Sequence, residues 1–144
     1  MRTPKTPGPR ICGAFPRTQR RAIELHDSRV ASCARDGDEL RIALSAVVHV
    51  SIGEHGVAAG TVWSQDVELR IFDARVESLP EAALWITEGT IEIGGVLLDS
   101  LAMPLKLAGA VRVVLEGAEG RLLASGSRIE LEERGERTFV ERFP

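Results

Sequence analysis

Tyrosine is absent from this chain of 144 residues, and aromatic residues make up only 4% of it. So few rings leave no aromatic girdles for a membrane β-barrel and a weak platform for stacking sugars or single-stranded nucleic acid. No apolar run approaches the ~20 residues that a membrane-spanning helix needs. Cysteine occurs only twice, as Cys12 and Cys33. The two are unclustered and form neither a disulfide framework nor a CxxC metal or redox pair, so a reducing, cytoplasmic setting is expected. Lysine is nearly missing as well, with Lys5 and Lys106 against sixteen arginines. That bias, with abundant Ala, Gly and Val, is what GC-rich coding produces.

Acids are missing from the first 21 residues. That segment carries Arg2, Lys5, Arg10, Arg17, Arg20 and Arg21, a charge of +6, and four of the seven prolines. The remaining 123 residues carry −9. A basic, proline-rich stretch without apolar periodicity buries too little surface to offset its ordering entropy. Residues 1–21 are therefore expected to form a flexible tail, and residues 22–144 a single domain. The tail lacks the apolar core of a secretory signal, and no apolar run follows Arg20-Arg21 as a twin-arginine signal requires. Its prolines interrupt the amphipathic helix of a transit peptide. Six positive charges suit a nucleic-acid arm, but the acidic body opposes that role. Translation from an upstream start in GC-rich DNA gives such a tail without any function.

Period-2 alternation dominates the body. Leu40, Ile42, Leu44, Ala46, Val48, Val50 and Ile52 share one face, and Arg41, Ser45, His49 and Ser51 the other. Val30–Arg35 reads as a strand joined to this one through Asp36-Gly37-Asp38. Further strands are expected over 61–72, 84–86, 90–93, 96–98, 105–115, 122–132 and 138–143, with turns at Glu88-Gly89, Gly94-Gly95, Gly117–Gly120 and Gly135. Glu81-Ala82-Ala83-Leu84 after Pro80 invites one or two helical turns at most. About eight to nine short strands at hairpin spacing predict an all-β fold, either an antiparallel β-sandwich or a partly open barrel.

The candidate chemistry is thin. His26, His49, Glu54 and His55 offer imidazole and carboxylate ligands for a metal-dependent or hydrolytic enzyme on a β-barrel. Neither the HxH of a cupin strand nor the HExxH of a zincin helix occurs, and no serine sits in a GxSxG elbow. Gly94-Gly95 lacks the rest of a dinucleotide or phosphate loop. Asp66 with Glu68, and Glu130 with Glu132, lie two apart on strands, so each pair shares an outward face. Such a face steers basic surfaces toward it, and these four acids are the candidate binding residues. No cofactor is implied.

Leu25-His26-Asp27-Ser28 before a short strand, Trp63 after a Gly-rich loop, and the closing Phe139-Val140-Glu141-Arg142-Phe143-Pro144 resemble small uncharacterised bacterial all-β proteins, some similar to toxin-immunity proteins. The resemblance spans most of residues 22–144. It implies no catalytic residues and favours binding over catalysis. The expectation is a recognition module for a protein, with a basic nuclease-like toxin as one candidate, or for a small ligand.

Overall fold

Alternating apolar residues become strands when one face can be buried, and this chain buries one face almost throughout. The computed structural model describes residues 19–52 and 60–143. Among them are eleven strands and no helix. They are β1 (Gln19–Asp36), β2 (Glu39–Ile52), β3 (Gly60–Phe72), β4 (Arg75–Ser78), β5 (Leu84–Trp85) and β6 (Glu88–Ile93). After them come β7 (Val96–Leu98), β8 (Ser100–Ala102), β9 (Leu105–Gly117), β10 (Gly120–Glu133) and β11 (Thr138–Phe143). All pair antiparallel in one sheet, whose main path runs β5-β1-β2-β3-β10-β9-β6-β7 and curls into a half-barrel. β11 continues alongside β3 beyond the end of β10, β4 pairs with β10, and β8 pairs with β1.

The concave face holds the core. Leu40, Ile42, Leu44, Ala46, Val48 and Val50 of β2 meet Val67, Leu69 and Ile71 of β3 there. Ile129 and Leu131 of β10, Val111, Val113 and Leu115 of β9, and Ile23 and Leu25 of β1 complete it. Each fully buried aliphatic side chain contributes about 1.5–3 kcal/mol, so the alternation in β2 alone strongly specifies register. The Asp36–Glu39 and Gly117–Gly120 turns fall where the turn chemistry puts them. Gly94 and Gly95, at φ 57° and 87°, take the left-handed conformations that a two-residue hairpin turn demands between β6 and β7.

Three expectations change. β1 begins at Gln19, three residues inside the segment assigned to the tail, and Arg21 pairs with Glu133. Residues 1–18 lie outside the described residues. No helix forms over 79–86; that stretch bends and then enters β5. The strand count exceeds eight to nine because β4 and β8 are too short to show periodicity.

β1 is also longer than its pattern suggested, because a bulge breaks the alternation. Its pairing with β2 shifts register between Glu24 and Arg29 and again between Val30 and Ser32. Ser28 locks the first shift: its fully buried hydroxyl donates to the Glu24 carbonyl and accepts the Val47 N–H at 3.0 Å. Asp27 sits at φ 73°. β8 covers the other edge of β1 at Ala22–Glu24 and β5 covers it at Arg29–Val30. Between them, the Leu25 and Asp27 N–H groups donate to the carbonyls of Asp99 and Ile86 at 3.2 and 3.0 Å.

Candidate functional site

Strand parity places Asp66, Glu68, Glu130 and Glu132 on the convex face of β3 and β10, and pairing brings them together. Glu130 lies opposite Arg70, and Glu132 opposite Glu68. Two glutamates directly opposite each other on neighbouring strands repel. Here arginines relieve the repulsion. Arg134 hydrogen-bonds Glu68 and lies 3.8 Å from Glu132, while Arg70 reaches Glu132 at 3.4 Å.

Arg70 is the centre of this ladder. It donates to Glu39 at 2.6 and 3.2 Å and lies 3.7 Å from Glu130. Glu39 also accepts from Arg41 at 2.8 Å, and Glu130 pairs with Arg128 at 2.7 Å. Hydrogen bonding to Arg70, with a smaller part from Arg41, holds the Glu39 carboxyl at about 2 although burial opposes it. The same bond raises Arg70, and the bond to Glu68 raises Arg134. Glu130 is only 7% exposed, so it is not the solvated carboxylate that parity suggested. The convex face is therefore a lattice in which Glu39, Glu68, Glu130 and Glu132 alternate with Arg41, Arg70, Arg128 and Arg134. Asp66 remains exposed, with its backbone carbonyl accepting the N–H groups of Arg134 and Gly135.

A second pair of opposed glutamates differs. Glu88 at the start of β6 lies directly opposite Glu116 of β9. Arg121 donates to Glu116 at 2.8 Å, but among the described residues no guanidinium reaches Glu88. The pair borders a cleft of about 370 Å3 lined by His26, Thr87, Glu88, Gly89, Thr90, Asp99, Val114 and Glu116. That volume is within the range of small-ligand sites. The β1 bulge turns His26 into the cleft, where its Nδ1 lies 3.3 Å from Asp27. Asp99 reaches it from the turn between β7 and β8, held by the Leu25 N–H. Gly89 forms part of the wall, and a Cβ there would lie 3.0 Å from both Leu25 and Leu115. Glu88 and Asp99 have no basic side chain in ion-pair contact among the described residues. The cleft thus combines an imidazole, hydroxyl groups and carboxylates.

The sequence-level candidates divide accordingly. His26 lies in the cleft. His49 is on the convex face of β2, with Nε2 3.9 Å from Glu24. Glu54 and His55 lie outside the described residues. Among the described residues no group of three or more His, Cys, Asp and Glu side chains is placed to hold a metal ion. Cys33 is a free, half-buried thiol whose pKa is raised by burial. Glu88, Asp99 and Glu116 escaped the sequence reading, because strands 28 residues apart bring Glu88 and Glu116 together and nothing local marks that pairing. No protein-family model, curated protein or solved structure matches this chain.

Proposed function

We propose that the protein is a non-catalytic recognition module that receives a cationic side chain or ligand in the cleft between the β1 bulge and β6. One observation carries this reading. Among the described residues the sheet contains two pairs of opposed glutamates; Arg134 bridges Glu68 and Glu132, and no described arginine reaches Glu88. A guanidinium or ammonium group supplied by a partner would relieve the second pair as Arg134 relieves the first. The acidic charge of the body would steer such a partner and chiefly raise its association rate. The resemblance to small bacterial all-β proteins, some of them similar to toxin-immunity proteins, favours a basic protein partner, and the scarcity of cysteine a cytoplasmic setting.

Titration of the isotope-labelled protein with tetra-arginine amide tests this. Backbone shifts should gather at residues 26, 87–90, 99 and 114–116, and affinity should fall as salt shortens the Debye length from roughly 10 Å at 0.1 M toward 3 Å at 1 M. Glu88→Gln should weaken binding several-fold. Shifts centred on the convex lattice, or an affinity indifferent to Glu88→Gln, would refute the assignment.

A further inference from the structure

Trp85 is the largest exposed apolar side chain among the described residues, with 58% of its surface open to solvent. Its surroundings hold it still. Trp85, Ile86 and Thr87 each donate a backbone N–H, to the Glu119 carboxylate at 3.1 Å, the Ser28 carbonyl at 2.9 Å and the Glu116 carbonyl at 2.8 Å. Gly117 lets the end of β9 close against the same segment, since a Cβ there would lie 2.0 Å from the Trp85 carbonyl oxygen. The guanidinium of Arg29, opposite Trp85 on β1, stacks over the ring at 5.5 Å from its centroid. A side chain fixed in this way but left open loses little conformational freedom when a partner covers it. Tryptophans so placed are recurrent anchors of protein interfaces.

The ring adjoins the cleft. Leu84 and Ile86 are buried, so Trp85 and Thr87 both face outward, roughly 6–7 Å apart along the chain, and Thr87 and Glu88 line the cleft. We infer that the cleft and Trp85 form one recognition surface for an extended, basic peptide segment of a partner protein. In that segment the cationic side chain enters the cleft, and an aromatic side chain two residues away packs on Trp85. The inference rests on the cleft reading above and adds the second contact. Alternate side chains of an extended chain share a face at the same roughly 6–7 Å spacing, so one segment makes both contacts. Charge narrows the partner. A nucleic-acid base stacked on Trp85, or an anionic lipid surface meeting it, would bring phosphate toward Glu88, Glu116 and Glu119, whereas a basic peptide meets these carboxylates favourably. Arg29 beside the ring disfavours a second cation there, which selects an uncharged aromatic group.

Tryptophan fluorescence of the full chain reads this contact. Trp63→Phe, which keeps an aromatic ring against Phe139, leaves Trp85 as the only indole. Two acetylated pentapeptide amides serve as probes: Phe-Gly-Arg-Gly-Phe, which offers a ring in either chain direction, and Gly-Gly-Arg-Gly-Gly. The first should shift Trp85 emission to the blue and bind about five- to tenfold more tightly than the second. In the otherwise unsubstituted chain, followed by chemical-shift titration, Trp85→Ala should erase that advantage and leave the affinity of the glycine peptide within about twofold. Glu88→Gln should weaken both peptides alike. Equal affinities for the two peptides, or an advantage that survives Trp85→Ala, overturn the inference and leave the cleft reading standing. Failure of both peptides to bind, or indifference of both to Glu88→Gln, removes the cleft reading and the inference together.

Discussion

Glu39, Glu68, Glu130 and Glu132 on the convex face of β2, β3 and β10 stand beside arginines, whereas among the described residues Glu88 and Asp99 around the β1 bulge do not. Both regions oppose one glutamate to another across neighbouring strands. In the lattice, the surrounding charges make the repulsion part of a nearly neutral, partly buried network. In the cleft it is relieved on one side only. Identical residue types are thus neutralised by arginine in one place and, among the described residues, left without a cation in the other. What separates them is the identity of the strands next door rather than the local sequence.

The contrast depends on strand register, so the largest effects come from breaking it. Leu44→Asp puts an unpaired carboxylate at a position 1% exposed and should cost more than about 4 kcal/mol in urea unfolding. Ser45→Asp, on the opposite face and in register with Asp66, should stay within about 1 kcal/mol. Equal losses in the two variants would show that the faces are misassigned.

Ser28→Ala comes next. It leaves the Val47 N–H without its acceptor and should cost about 1–3 kcal/mol. It should also weaken cation binding, because the bulge carries His26 into the cleft. Unaltered affinity would separate the bulge from the site.

Arg70→Met removes the centre of the lattice and leaves Glu39 and Glu130 poorly compensated, at about 1–2 kcal/mol once their partial solvent contact is allowed for. The loss should depend on pH. Glu39 titrates at about 2 when folded and near 4.3 when unfolded, so its contribution is complete above the unfolded value and disappears as pH falls from there toward 2. In Arg70→Met the acid limb of the stability profile should flatten across that window. A variant and parent running parallel from pH 5 to 2 would remove Glu39 from the account.

The smallest effects sharpen the comparison most. Glu88→Gln and Asp99→Asn should change stability by less than about 0.5 kcal/mol, and Glu88→Gln should even be slightly stabilising by relieving its opposition to Glu116. A clear loss of stability in either would mean that the cleft acids are structural, like those of the lattice.

The concave face was legible wherever alternation was unbroken. Leu40, Ile42, Leu44, Ala46, Val48 and Val50 of β2 are all buried, as are Val67, Leu69 and Ile71, and the Gly94-Gly95 turn falls where it was expected. β1 was not legible beyond Val30, because the bulge at Leu25–Ser28 inserts residues that shift the period, and a two-residue rule has no place for them. The outward placement of Glu68, Glu130 and Glu132 was correct, but their neutralisation was hidden. It comes from Arg70 and Arg134, which lie on different strands or beyond a strand end, and parity says nothing about which strands adjoin.

Arg70 also bears on the order of events during folding. Its contact with Glu39 joins β3 to β2, strands only seven residues apart along the chain, whereas its contacts with Glu130 and Glu132 require a strand that arrives sixty residues later. Closing so long a loop is entropically costly and makes such pairings slow. If β10 docks after the rate-limiting step, removing Glu132 should accelerate unfolding and leave the refolding rate alone, whereas removing Glu39 should slow refolding. One guanidinium, probed from its two sides, therefore serves as a clock for the assembly of the sheet.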